Sequence, residues 1–195
     1  MNLPNAITSS RLVLTAVFVA AMSFPGFPGY LTALIAFSVA AATDWLDGYL
    51  ARKLNLVTPL GKLLDPLADK ILVCSAFVFM SKLGHAPVWV TAVIIGREFL
   101  VTGLRQIAVE AGQVLAADRL GKWKTTFQLT FVITALVWES FSQMEVRGMV
   151  AEGLWKLADP RGWLMPVALW ISLALTVISG ANYVWNARGL LKGKA

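Results

Sequence analysis

The sequence has few of the residues on which soluble or disulfide-linked proteins rely. Only 14% of its 195 residues are charged, against about 25% in an average globular domain. Its one cysteine, Cys74, cannot form a disulfide within a single chain, and one thiol alone does not make a zinc site. The 57% hydrophobic content leaves too little polar surface to keep a chain of this length in solution. The composition therefore indicates an integral membrane protein.

Six hydrophobic segments run down the chain, separated by short stretches that are polar or rich in glycine and proline. A helix of about 20 apolar residues crosses the ~30 Å hydrocarbon layer of a bilayer, and each segment has about this length. We predict membrane spans at residues 8–24, 30–52, 58–84, 87–112, 118–144 and 162–188. In the third span, Thr58 is the predicted N-cap and Pro59 the first helical residue. The sequence thus predicts an all-α integral membrane protein with six transmembrane helices in a single domain, residues 1–195.

The positive charges concentrate at one set of span ends, within a net charge of +6 from 17 Lys and Arg against 11 Asp and Glu. With the N-terminus inside, the inner face holds Arg11, Arg52, Lys53, Lys62, Lys70, Arg105, Arg119, Lys122, Lys124, Arg188, Lys192 and Lys194. The outer face holds Lys82, Arg147, Lys156 and Arg161. This asymmetry predicts a multi-pass protein with both termini in the cytoplasm. On a membrane protein, such a charge reflects orientation and attraction to anionic lipid, so we expect no nucleic-acid partner.

Two further features fall on the predicted outer side. The one histidine, His85, is expected in a loop there, away from the acidic residues described next. The segment 145–157 mixes charged and apolar residues, a pattern typical of an amphipathic helix that lies on the bilayer surface.

Four of the eleven acidic residues lie within 26 residues, near the inner ends of the second and third spans. Asp44 and Asp47 are three residues apart, and Asp65 and Asp69 are four apart, so each pair shares one face of its helix. Four carboxylates brought together would repel one another, and a divalent metal removes that repulsion. Oxygen ligands favour Mg²⁺, Mn²⁺ or Ca²⁺. Two such ions about 3.5–4 Å apart would suit displacement at phosphorus.

The residues between the aspartates favour a phosphate ligand. Gly48, Ala51 and Gly61 leave room for a large group to approach the two helices. The guanidinium of Arg52 can bind phosphate oxygens through two hydrogen bonds. If Arg52 marks the membrane surface, Asp44 lies about 12 Å deeper, within reach of a lipid headgroup. The alternative is that the aspartates only form ion pairs with inner-face cations, which would not explain the small residues beside them.

The motif Asp44-x-x-Asp47-Gly48-x-x-Ala51-Arg52, followed by Gly61, Asp65 and Asp69 at fixed spacing, resembles the signature of the CDP-alcohol phosphotransferase family. The segments 2–11, 97–105 and 121–128 are similar to the phosphatidylglycerolphosphate synthase branch of that family. The resemblance covers about the first two thirds of the chain. The last third is similar only in having hydrophobic spans.

The resemblance implies a six-helix, homodimeric enzyme of the cell (cytoplasmic) membrane, with its active site facing the cytoplasm. It would transfer the phosphatidyl group of CDP-diacylglycerol to sn-glycerol 3-phosphate, giving phosphatidylglycerol phosphate and CMP, with two divalent cations, Mg²⁺ or Mn²⁺. Asp44, Asp47 and Asp65 would hold metal, and Asp69 would contribute to the second metal and serve as the base. The residues implied to contact the CDP part are Asn5, Thr8, Asp47, Gly48, Ala51, Arg52 and Gly61.

An acceptor that carries a phosphate needs a second basic site. Arg105, Lys122 and Lys124, at the inner ends of the fourth and fifth spans, are the candidates, although the positive-inside rule alone would also place some of them there. Arg97 and Glu98, inside the fourth span, are predicted to form a buried ion pair or network. Two alternative functions remain open: the same transfer to inositol phosphate, serine or another alcohol, and transport of a divalent cation along intramembrane acids.

Overall fold

The computed structural model describes residues 3–54, 59–113, 119–145 and 148–191, and within them the chain forms helices and no strand. The helices are α1 (Leu3–Met22), α2 (Phe27–Leu54), α3 (Pro59–Lys82), α4 (Val88–Glu110), α5 (Arg119–Ser142), α6 (Met149–Leu157) and α7 (Leu164–Leu191). The all-α prediction is confirmed, because the six long helices coincide with the six hydrophobic segments. Helix α3 begins at Pro59, as predicted, whereas its predicted N-cap, Thr58, lies outside the described residues.

The turn between α1 and α2 is tighter than the sequence predicted. Helix α2 begins at Phe27 rather than near residue 30, with Pro28 in its first turn. Proline is tolerated there because the first backbone N–H groups of a helix have no partner within it. Gly29 is required, because a Cβ at this position would lie 2.0 Å from the carbonyl oxygen of Phe24. Pro28 and Gly29, which were expected to lie in the turn before α2, thus belong to the first turn of this helix.

The six long helices form a closed ring of neighbours. Helix α1 packs against α2 and α3, α2 against α5, α5 against α7, α7 against α4, and α4 against α3. Between them lies one hydrophobic core with several fully buried side chains, including Phe77 and Phe131, whose stacked rings are 5.5 Å apart. The ring brings the last helix of the chain beside α4 and α5, which carry the predicted acceptor-site residues.

One described helix, α7, is both long and apolar enough to cross a membrane. Its segment Leu164–Arg188 has a mean hydropathy of 1.9, and 44% of that stretch is buried inside the protein. The apolar segments of α1 and α2, Ser9–Met22 and Phe27–Thr43, are shorter. The described side chains begin at Ser9 in α1 and stop at Thr43 in α2, so these two lengths refer to the described residues only. The structure therefore supports one membrane span by length and composition, and the predicted total of six stays a prediction.

The predicted amphipathic helix in 145–157 is present as α6, with three distinct faces. Trp155 stacks on Trp138 of α5, with ring centroids 4.9 Å apart and planes 11° apart. Glu152 and Lys156 form an exposed ion pair at 2.7 Å on a second face. The third face presents the apolar side chains of Val150, Leu154 and Leu157 to the outside, and the exposed Met149 lies on the side of Glu152 and Lys156. Packing on α5 thus fixes which face of α6 is left open.

His85 lies between α3 and α4, as expected for a loop residue. Its Nε2 is 2.7 Å from Oε1 of Glu139 on α5, and both side chains are largely buried. This contact fastens the α3–α4 connection to the end of α5. It lies at the opposite end of α3 from Asp65 and Asp69.

Candidate active site

The four aspartates lie on two helices that both pack against α1. Asp44 and Asp47 belong to α2, and Asp65 and Asp69 belong to α3. Helical geometry holds each pair on one face, because residues three and four apart project from the same side of a helix. Two such pairs supply only oxygen donors, which fit Mg²⁺ or Mn²⁺ and do not favour zinc.

The structure describes side chains for residues 9–43, 70–113, 120–145 and 148–188. The whole predicted metal and nucleotide site falls outside these ranges: Asn5, Thr8, Asp44, Asp47, Gly48, Ala51, Arg52, Gly61, Asp65 and Asp69. Their side-chain roles therefore stay predictions. The surrounding side chains, in contrast, are described and show what borders the site.

A cavity lies one helical turn from the aspartates. Ala40 on α2 is four residues before Asp44, and Val73 on α3 is four residues after Asp69, a rise of about 6 Å in each case. The cavity holds about 300 Å³ of empty space, including its mouth, and is lined by Arg11, Ala40, Ala41, Leu72, Val73, Thr125 and Leu129. Four helices, α1, α2, α3 and α5, thus enclose a space beside the predicted metal site.

Among the described residues that line this cavity, Arg11 is the one with a charged side chain, and it is only 3% exposed. An arginine inside an apolar span is expensive and usually has a function or a structural partner. From the sequence, Arg11 was predicted as an inner-face charge and as the end of the family-like segment 2–11, but not as a site residue. Its position in an otherwise apolar stretch of α1 is the signal that could have singled it out.

A second polar centre joins α4, α5 and α7. Lys124 Nζ donates a hydrogen bond to Oε1 of Glu98, and Arg97 Nη1 donates to the same oxygen at 3.3 Å. Arg97 Nη2 also donates to Oγ of Ser179 on α7 at 2.7 Å. The side chains of the three charged residues are 5–11% exposed. The predicted buried ion network of Arg97 and Glu98 is therefore confirmed, and Lys124 and Ser179 are additional members.

Arg105 lies two turns beyond Arg97 on α4 and reaches the same helix, α7. Its Nη2 donates a hydrogen bond to the hydroxyl of Tyr183. The guanidinium carbon is 5.0 Å from the centre of the Tyr183 ring, close enough for a cation–π interaction. Arg105 is exposed, whereas Tyr183 is only 4% exposed. A buried tyrosine thus holds an arginine that opens to the outside of the bundle.

The three predicted acceptor-site residues have different surroundings. Lys122 and Lys124 are two residues apart on α5 and so point to different sides of the helix. Lys122 is exposed, Lys124 is buried beside Glu98, and Arg105 contacts Tyr183. Arg105 thus contacts α7 directly, and Lys124 is linked to α7 through the polar centre around Glu98. Lys122 lies at the surface.

Sequence reasoning missed the contribution of α7. A stripe of buried polar side chains runs along this apolar helix, at Ser172, Thr176, Ser179 and Tyr183. The spacing of four, three and four residues keeps them on one face. Polar residues with this period in a hydrophobic span indicate a face turned towards other helices, so the signal was present in the sequence.

Comparisons with known proteins agree with the motif. The family model for CDP-alcohol phosphatidyltransferase matches residues 1–178. Three relatives carry the name CDP-diacylglycerol--glycerol-3-phosphate 3-phosphatidyltransferase. The Bacillus subtilis relative is 40% identical over 201 residues, covering 95% of this chain and 96% of its own. The Haemophilus influenzae relative is 34% identical over 196 residues, covering 97% and 95%. The Pseudomonas fluorescens relative is 42% identical over 142 residues, covering 70% and 72%.

The family match extends beyond the two thirds of the chain that carry the motifs. It includes the stripe residues Ser172 and Thr176 of α7 and ends just before Ser179. Because this match spans most of the 195 residues and includes all four aspartates, the chain belongs to the CDP-alcohol phosphatidyltransferase family.

Proposed function

We propose that the protein transfers the phosphatidyl group of CDP-diacylglycerol to sn-glycerol 3-phosphate, giving phosphatidylglycerol phosphate and CMP. The observation that carries the proposal is the complete aspartate motif over residues 44–69, inside the region matched by the family model. Relatives named for this reaction align with nearly the whole chain, which supports glycerol 3-phosphate as the acceptor.

In the proposed reaction, the acceptor hydroxyl oxygen attacks the phosphorus of the phosphatidyl group. Asp69 accepts the proton of that hydroxyl, and the bond from phosphorus to the CMP oxygen breaks. Asp44, Asp47, Asp65 and Asp69 would hold Mg²⁺ or Mn²⁺, which would supply positive charge for the pyrophosphate and the leaving CMP. The small residues beside the aspartates give the nucleotide access, and Arg52 binds its phosphate oxygens.

The second anion of this reaction is the phosphate of the acceptor. We assign it to Arg105, Lys122 and Lys124. Two contacts support this assignment, because Glu98 and Tyr183 restrain the side chains of Lys124 and Arg105 on two helices that both pack against α7. A fixed cation binds an anion with a smaller loss of side-chain entropy than a mobile one.

We further propose that the six long helices cross the cell membrane, with both termini and the active site on the cytoplasmic side, and that the enzyme is a homodimer. Each of these helices has at least 20 residues, enough to cross the bilayer. Many large apolar side chains are exposed on the bundle, for example Val13, Phe24, Val78, Phe99 and Val177. A soluble monomer rarely exposes so much apolar surface. In this arrangement α6 lies on the outer surface of the bilayer.

The activity is tested by release of CMP from the purified protein with CDP-diacylglycerol, glycerol 3-phosphate and Mg²⁺ or Mn²⁺. The Asp69→Asn variant is expected to lose turnover, by about 100-fold or more, because it cannot accept the proton. The matched control is Asp159→Asn, which changes an aspartate whose side chain accepts a hydrogen bond from the Arg161 backbone, remote in sequence from the motif. It should keep full activity.

Two results would contradict the proposal. Wild-type protein that releases no CMP in response to glycerol 3-phosphate, under several detergents and both metals, would exclude this acceptor. Competition with inositol phosphate and serine then identifies the alternative, because the preferred acceptor gives the largest CMP release. Full activity in Asp69→Asn would remove the role of Asp69 as the base.

A further inference from the structure

Tyr183 lies between two arginines of α4. The centre of its ring is 5.0 Å from the guanidinium carbon of Arg105 and 5.8 Å from that of Arg97. The two arginines are eight residues apart, about 12 Å along the helix. The Tyr183 ring is thus near both Arg97 of the buried polar centre and Arg105, which is exposed.

The position of Tyr183 is fixed by contacts one turn earlier on α7. Ser179 accepts a hydrogen bond of 2.7 Å from Arg97, and Gly180 lets the Arg97 side chain lie directly against the backbone of α7. A Cβ at position 180 would be only 3.0 Å from Cγ of Arg97. Since Tyr183 is also 4% exposed, its hydroxyl is presented to Arg105 from a rigid, buried site.

This contact uses only part of the binding capacity of Arg105. A guanidinium group has five N–H donors in a plane, and the hydrogen bond to Tyr183 takes one of them. The ring contact and the hydrogen bond together restrict the side-chain rotamers of an exposed arginine. A guanidinium held in this way retains enough donors for a phosphate group, which arginine binds through two parallel N–H bonds.

We propose that Tyr183 is a positioning residue for the acceptor: it holds the Arg105 guanidinium in the orientation that binds the phosphate of the attacking alcohol. This inference rests on the proposed function, in which Arg105 binds that phosphate. The proposal gives α7 a role in the reaction, although none of the sequence motifs lies in this helix. It also makes the recognition of the acceptor depend on a residue that does not touch the acceptor itself.

The test is a kinetic comparison of Tyr183→Phe with the wild type. The substitution removes the hydroxyl and keeps the ring, so the bundle should stay packed. We expect the apparent KM for glycerol 3-phosphate to rise about tenfold, the effect of losing one hydrogen bond to a charged group. The apparent KM for CDP-diacylglycerol should stay unchanged. Tyr30→Phe, the same change at a buried tyrosine of α2 in the hydrophobic core, should alter neither value.

A double-mutant cycle separates positioning through Arg105 from a purely structural effect. In an Arg105→Ala background, Tyr183→Phe should raise the KM for the acceptor no further, because the group it positions is gone. A wild type that responds to glycerol 3-phosphate, combined with an unchanged KM in Tyr183→Phe, would overturn the inference and leave the proposed function intact. Equal effects of Tyr183→Phe in both backgrounds would also overturn it. A wild type with no response to glycerol 3-phosphate would refute the proposed function itself.

Discussion

Replacing Glu98 by alanine should destabilise the protein more than any other single loss of charge among its described residues. The carboxylate of Glu98 contacts both Arg97, at 3.3 Å, and Lys124, and all three side chains are at most 11% exposed. At 3.3 Å, one such contact is worth about 5 kcal/mol of Coulomb attraction at an effective dielectric constant near 20. Desolvation offsets much of this gain in the intact cluster. Removing the carboxylate takes this charge partner away from two buried cations, and we expect a loss of about 3–5 kcal/mol.

Thermal unfolding in detergent, followed by circular dichroism, measures this effect. A loss of this size should lower the unfolding midpoint by on the order of 10 °C. Glu98→Gln should fall between wild type and Glu98→Ala, since the amide oxygen can still accept a hydrogen bond without the charge. The matched control is Glu152→Ala, which removes the glutamate of an exposed Glu–Lys pair on α6, where a loss of less than about 1 kcal/mol is expected. Equal midpoints for Glu98→Ala and Glu152→Ala would refute the idea that burial gives the Glu98 cluster its importance.

Two further predictions concern α6 and the packing of α7. The placement of α6 can be tested with spin labels in a variant whose one cysteine is replaced by serine. A label at Leu154 should be accessible to oxygen dissolved in the lipid, and a label at Glu152 should be accessible to a water-soluble relaxation agent. If both labels were equally accessible to both agents, α6 would not lie on the bilayer as proposed. Gly180→Val should displace Arg97 and lower the unfolding midpoint by several degrees, because a Cβ at position 180 lies 3.0 Å from Cγ of Arg97. Gly96→Val, where a Cβ meets nothing within 4 Å, is the control, and an equal decrease there would show that helix propensity alone is responsible.

The helices were predictable because the lengths of hydrophobic runs and the positions of glycine and proline are local properties. The six long helices and α6 all lie where the sequence predicted them. Two helices begin earlier than predicted, α1 at Leu3 rather than near residue 8 and α2 at Phe27 rather than near residue 30, and in α2 the earlier start follows from the tolerance of a first helical turn for proline. Pro28 therefore marks the beginning of the helix rather than a residue before it.

The neighbours of each helix were not predictable in the same way. Hydropathy reports that a segment is apolar but not which other segment covers it, so the packing of α7 against α4 and α5 had no sequence signal of its own. The same holds for the pairing of Lys124 with Glu98, which are 26 residues apart. In the sequence, nothing distinguished Lys124 from the other two predicted acceptor-site cations. The structure shows that Lys124 is buried and that Lys122 is exposed.

The same distinction applies to the candidate site, where one group of residues could be recognised from local sequence and another could not. The metal and nucleotide residues were proposed from a compact motif within residues 44–69, because ligands on two successive helices leave a spacing that can be recognised. The acceptor site has no such spacing, since its residues are spread over α4, α5 and α7. The spacing of Ser179 and Tyr183 indicates a face of α7 turned towards other helices, but only the packed structure shows that Arg97 and Arg105 are their partners.

Because the donor and acceptor residues lie in different parts of the chain, an enzyme of this kind can distinguish one alcohol from another without a change in its motif. In the proposed reaction, the aspartate motif acts on the pyrophosphate of the donor and on the attacking hydroxyl, and both groups are the same whichever alcohol attacks. Such a motif carries no information on the rest of the acceptor, so that information must lie in the groups that surround it. The groups we propose for this are Arg105, Lys122 and Lys124, and the structure shows Arg105 in contact with Tyr183 and Lys124 in contact with Glu98. Selectivity for the acceptor should thus change when these residues of α4, α5 and α7 are replaced, while chemistry at the donor stays the same.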